Sequence, residues 1–166
     1  MPETYEPITT QTLSTASNSV VVMSSIPSTY TDLVLVSLVK MSTQSAGYIR
    51  FNSDSGTNYS ATRLLGSGSS AITDRAANQT YIDAMYYDNS NFGMSVINIF
   101  NYSNATTNKS VLVRWSSVGS SDQYTDATVG LYRQSSPSAI TAISLHNPLG
   151  NFSIGSIFTL YGIKAV

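Results

Sequence analysis

Apolar residues along this chain recur mostly at every second position, in short runs broken by Ser, Asn, Gly and Pro. The densest run spans residues 32–41, with Leu33, Leu35, Val39 and Met41 on one face of an extended strand and Val34, Val36 and Leu38 on the other. A strand apolar on both faces is covered on both and belongs in the middle of a sheet. Residues 11–23, ending in Val20-Val-Val-Met23, predict a strand before it, and Ile26-Pro27 the turn between them. Behind it, Ile49 and Phe51 alternate with Tyr48 and Arg50. Residues 59–65 fit a strand or a single helical turn, 73–78 read as a loop, and 79–85 read as a strand ending in a loop tip at 86–91. Further strands are predicted over 93–102, 110–116, 127–131, 139–145 and 156–163. About nine short strands with regularly spaced turns and no helix predict an all-β domain. We expect a single antiparallel β-sandwich over 11–166, jelly-roll-like, preceded by an extended N-terminal arm over 1–10. An immunoglobulin-like sandwich is second, since its Cys-Trp-Cys core is absent.

Composition changes that picture in two ways. Only 10% of the 166 residues are charged, with a net charge of −1. The surface is therefore wetted by hydroxyls and amides, and no basic stripe exists to hold a nucleic acid. There is no Cys, which removes disulfides, thiolate metal sites and a cysteine nucleophile. The opening residues show neither a basic nor an apolar signal region, and no apolar run approaches a membrane helix. The expectation is synthesis in a host cytoplasm, with no membrane partner.

Five phrases carry a resemblance. They are Ser25-Ile-Pro-Ser-Thr-Tyr-Thr-Asp-Leu-Val-Leu-Val36, Arg50-Phe-Asn-Ser-Asp-Ser-Gly-Thr-Asn-Tyr-Ser60, Ile99-Phe-Asn-Tyr-Ser-Asn104, Val129-Gly-Leu-Tyr-Arg133, and the closing Asn151-Phe-Ser-Ile-Gly-Ser-Ile-Phe-Thr-Leu-Tyr-Gly-Ile-Lys-Ala165. They resemble a set of β-sandwich proteins encoded by tailed bacteriophages, described as virion structural proteins and sometimes as tail-fibre proteins. The resemblance implies a virion protein and brings no catalytic residues. With little length for a fibre shaft, we expect a capsid decoration or cement protein on the major capsid protein shell, as a homo-oligomer such as a trimer. Tyr5 and Ile8 of the arm would anchor it. The alternative is a tail-fibre or baseplate tip that recognises host surface glycans through Tyr86, Tyr87 and Tyr124, where ring faces beside Asn and Asp suit a pyranose.

Candidate chemistry is sparse. His146, the single histidine, lies beside Asn147-Pro148, and no Gly-x-Ser-x-Gly elbow accompanies it. Asp83 with Asp88, or Asp122 with Asp126, could meet at one end of a sandwich, but Asp-rich loops are ordinary turn formers. Asn52, Asp54 and Asn58 alternate around Gly56 in the manner of a calcium loop, without its closing Glu, so a tight turn is the expectation. Trp115 alternates with Val111 and Val113 and is expected in the core. No catalytic residue, cofactor or metal is assigned, and the chain is read as a non-enzyme.

Overall fold

The densest apolar run forms the strand Asp32–Val39, which has a neighbour on either side. A computed structural model describes residues 4–15, 18–87, 89–119 and 123–164. Its strands are β1 (Tyr5–Thr12), β2 (Val20–Met23), β3 (Asp32–Val39), β4 (Ser45–Phe51), β5 (Tyr59–Gly66), β6 (Ala71–Gln79), β7 (Ile82–Tyr87), β8 (Gly93–Ile99), β9 (Lys109–Val118), β10 (Gln123–Tyr132), β11 (Ile143–His146) and β12 (Ile157–Ile163). They pair antiparallel throughout, in an eight-stranded sheet β1-β12-β3-β8-β9-β10-β5-β6 and a four-stranded sheet β2-β11-β4-β7.

The winding follows from four nested pairings: β1 with β12, β2 with β11, β3 with β8, and β4 with β7. Successive pairs fall alternately in the large and the small sheet, as when a long ribbon is rolled on itself. That is a jelly roll. The β5–β6 and β9–β10 hairpins are insertions into this ribbon, and both extend the large sheet beyond β8. The large sheet is thus twice as wide as the small one, and that mismatch creates the candidate site.

The core lies between the sheets. Leu33, Leu35, Ile49, Phe51, Ile97, Ile99, Val113, Phe158 and Leu160 are wholly buried there. Each such side chain contributes about 1.5–3 kcal/mol before entropy. Strand β9 shows the alternation plainly, with Val111, Val113 and Trp115 inward and Ser110, Leu112 and Arg114 less covered.

Several expectations need correction. Strand β3 is central, but its second face is covered only in part: Val34 is buried and Val36 half-buried, whereas Leu38 is 43% exposed, and on the first face Ser37 turns inward and shares a 2.6 Å hydrogen bond with Ser95. The stretch expected as an arm is a strand from Tyr5 onward, paired with β12 from Tyr5 opposite Ile163 to Thr12 opposite Ile157. Residues 11–23 divide between β1 and β2 rather than forming one strand. Residues 59–65 belong to β5, and the loop expected over 73–78 is part of β6. The described residues hold twelve strands where about nine were expected.

Candidate functional site

Because the small sheet ends at β7, the inner faces of β5, β6 and β10 overhang it. A cleft of about 220 Å³ opens there, lined by Ala46, Arg63, Leu65, Ile72, Asp83, Met85, Tyr86, Trp115 and Tyr124. Strands β5, β9 and β10 deliver their residues by alternation, whereas β7 supplies Asp83, Met85 and Tyr86 across a register shift at Ala84. Arg63 and Leu65 share the inner side of β5, Tyr124 and Asp126 that of β10, and Trp115 that of β9.

The aromatic wall is Tyr86, Tyr124 and Trp115. The Tyr86 and Tyr124 rings meet edge to face at 5.6 Å, and Tyr86 lies 6.5 Å from Trp115. Both tyrosines are half-buried and Trp115 is buried. Tyr86 and Tyr124 are therefore brought together as expected, although in strands rather than at loop tips. Tyr87 is not with them. Adjacent residues of a strand point to opposite sides, and Tyr87 turns into the core, fully buried, edge-on to Trp115 at 6.2 Å. Gly93 makes room for it, since a Cβ there would sit 2.3 Å from the Tyr87 ring. No ligand can stack on a ring so placed, and Tyr87 leaves the candidate set.

The polar wall was not foreseen. Arg63 stands opposite Asp74 in the β5–β6 ladder and binds it at 2.7 Å. Its Nε approaches Asp126 Oδ2 at 3.7 Å, too far for a hydrogen bond, and both atoms are buried without a hydrogen-bond partner among the described residues. Asp126 Oδ1 accepts from the Thr128 hydroxyl at 2.7 Å. Burial raises the pKa of Asp126; the Thr128 bond and the Arg63 charge oppose the rise, and Asp83 and Asp74 add to it. Burial likewise raises Asp83, with Arg63 opposing and Asp74 adding. Of these two carboxylates only Asp83 lines the cleft, because the Asp126 side chain is wholly covered. Asp88 and Asp122, the partners considered from the sequence, lie outside the described residues.

Other candidates resolve into structure. Asp54 Oδ1 accepts from the Gly56 amide at 2.7 Å, and Oδ2 from Asn58 at 2.8 Å and the Tyr132 hydroxyl at 3.0 Å. Burial works against the Asp54 charge, but these donors outweigh it and hold the carboxyl below its usual range. Asn52 spends its amide on Ala139, Thr141 and Ala142. The loop's polar groups thus bond to the protein itself, and among the described residues no cluster of three or more His, Cys, Asp or Glu could hold a metal. His146 ends β11, stacks on Tyr48 at 4.8 Å and bonds Ser144 at 2.9 Å, with burial and Arg50 lowering its pKa. Of the two expected anchors, Tyr5 is 57% exposed on the edge strand, whereas Ile8 packs against the core.

A second concave surface lies on the outer face of the large sheet. A groove of about 570 Å³ there is lined by Leu64, Met94, Val96, Arg114 and Ala127 among others. Ladder register places Leu38 opposite Met94, Val36 opposite Val96, Leu64 opposite Ala127 and Val129 opposite Leu112, so apolar pairs recur on this face, with Arg114, Ser116 and Asn98 set between them.

No family model and no curated protein matches this chain. Among solved structures it is similar to the galectin LEC-6 of Caenorhabditis elegans, at 10% identity over 87% of this chain and 90% of that chain, with a TM-score of 0.37. It is also similar to a protein of unknown function from Shewanella oneidensis, at 13% identity over 98% of this chain and 77% of that chain, with a TM-score of 0.28. At such scores neither likeness bears on what this chain binds.

Proposed function

We propose that this chain is a non-enzymatic virion structural protein, a decoration or cement protein that docks on the outer surface of a head shell. The observation that carries the reading is the apolar outer face of the large sheet, where Leu38, Leu64, Met94, Val129 and Leu131 are 42–55% exposed. A solvated sheet face normally alternates to polar residues, and so many large apolar side chains exposed on one face, even with Arg114 and Ser116 among them, suit a surface that another protein covers. A surface poor in charge suits the same task, since little desolvation opposes contact. Many copies, each making a modest contact, would brace a lattice by multivalent attachment. Self-association as a trimer would bring several such faces to the shell at once. Tyr5 remains available at the rim on edge strand β1, while Ile8 is committed to the chain's own core.

Catalysis is disfavoured by the cleft itself. Acid–base work needs two carboxylates that reach the substrate, and Asp126 is sealed beneath Arg63.

The test is co-sedimentation with undecorated shells. The double variant Met94→Lys with Val129→Lys should stay folded and lose shell binding, while Tyr124→Ala should bind as before. Binding of the double variant at wild-type strength would remove the outer face from the reading. Gold-labelled antibody on purified particles should decorate heads; gold confined to the tail tip would instead support the second reading, a host-glycan module. That reading is favoured by one observation, the Tyr86–Tyr124 ring pair at the mouth of the cleft.

A further inference from the structure

We infer that the cleft between β7 and the β5–β6–β10 overhang is a binding site for an ammonium group, carried by an amino sugar or by choline. The inference rests on reading the cleft as a ligand site and is independent of where the protein sits on a particle.

Three features converge. The first is size: about 220 Å³ is below the roughly 300–1,000 Å³ of sites for drug-sized ligands, so the cleft takes one sugar ring or one headgroup. The second is the wall. Tyr86, Tyr124 and Trp115 surround one side, and aromatic faces attract cations through the ring quadrupole, most effectively where water is displaced. The third is the charge balance. Three carboxylates, Asp74, Asp83 and Asp126, surround the one guanidinium of Arg63. Arg63 commits its close contact to Asp74 and leaves Asp126 at 3.7 Å.

Asp83 is the group that would meet the ligand. It lines the cleft, and no hydrogen bond satisfies its carboxylate among the described residues. A half-buried carboxylate without donors is costly to leave charged. A primary ammonium, as in an amino sugar, placed between Asp83 and the rings supplies both donors and countercharge; the quaternary nitrogen of choline supplies the countercharge alone and meets the rings through its methyl groups. A neutral sugar would supply hydroxyl donors without the countercharge, and an anionic one would face the excess negative charge. The field of the cleft therefore selects for cations.

Trp115 is the only tryptophan, so its fluorescence reports the cleft directly. The full chain would be titrated at pH 7 with choline, glucosamine, N-acetylglucosamine and glucose. The expected result is a saturable change with choline, glucosamine or both, at least tenfold tighter than with N-acetylglucosamine or glucose. Which of the two cations binds identifies the source of the group. Asp83→Asn should weaken that binding at least tenfold with a melting temperature no lower than that of the wild type, and Tyr124→Ala should weaken it while sparing the fold. Equal binding of glucosamine and N-acetylglucosamine would overturn the charge selection and leave the glycan reading standing. No response to any of the four would overturn both. Tight binding by Asp83→Asn would overturn the role given to Asp83.

Discussion

The Tyr132 hydroxyl, at the end of β10, donates a 3.0 Å hydrogen bond to Asp54 Oδ2 in the turn after β4. Residues 78 positions apart thereby lock the turn to the inserted hairpin, and Tyr132 stacks on Tyr59 at 4.8 Å beneath it. Hydrogen bonds to a charged acceptor are worth about 1.5–3 kcal/mol. Tyr132→Phe keeps the stack and loses the bond, so it should destabilise by about that amount in denaturant titration. Calcium should leave the melting temperature of the wild type unchanged, because Asp54 is already satisfied by three protein donors. A calcium-dependent rise would return the turn to the list of metal sites.

Gly162 explains part of the closing Leu-Tyr-Gly-Ile-Lys phrase. The Tyr30 ring lies directly on it, and a Cβ at Gly162 would stand 2.3 Å from that ring. Tyr30 in turn donates to Glu6 at 3.0 Å, and Glu6 pairs with Lys164 at 2.6 Å, tying β1 and β12 to the chain before β3. Gly162→Ala should push Tyr30 away and cost about 1–3 kcal/mol as overpacking. The melting temperature should fall by roughly 2–4 °C per kcal/mol for a chain of this size. An unchanged melting temperature would show that Tyr30 repacks without loss.

The strands that were legible are those with one dry face. In β9 and β12, burial alternates with the sequence pattern, because one side of each meets the core. Strand β6 was illegible for the converse reason. It is an edge strand whose residues are exposed or half-exposed on both sides, so hydrophobicity has no period to report. The loss of β6 hid the site, since Arg63 and Asp74 face each other only once β5 and β6 are paired. Tyr86 and Tyr124 were singled out from composition, and the fold does bring them together. Tyr87 could have been removed beforehand: extending the predicted 79–85 strand by two residues places it opposite Tyr86. Asp83 and Asp126 lie on strands distant in sequence, and no spacing rule joins them.

Docking through an apolar face has a salt signature. Charged contacts weaken as ionic strength rises, whereas apolar contact persists. The outer face contributes Arg114 to its groove, with Leu64, Met94, Val96 and Ala127 around it. Shell binding should therefore change little between low and high salt in co-sedimentation. A steep loss with salt would shift the contact to the charged residues of β5 and β6.

Asp126 sets a pH dependence whose sign is unusual for a carboxylate. Its folded pKa is raised, first by burial, so the folded chain holds this proton to higher pH than the unfolded chain does. Between the ordinary aspartate pKa and the raised one, the folded state binds more protons, and stability falls as pH rises through that window. Once ionised, Asp126, whose Oδ2 lacks a hydrogen bond among the described residues, works against the fold. Asp126→Asn retains an oxygen for the Thr128 hydroxyl and removes the charge. The variant should be the more stable protein above that window, and the difference should shrink as pH falls back through it toward the ordinary aspartate pKa. Asp83, raised in the same direction, persists in the variant and leaves a residual slope. Urea denaturation of both proteins between pH 4 and pH 8 measures the effect. A variant less stable at pH 7 would mean that the 3.7 Å approach of Arg63 outweighs the burial of Asp126.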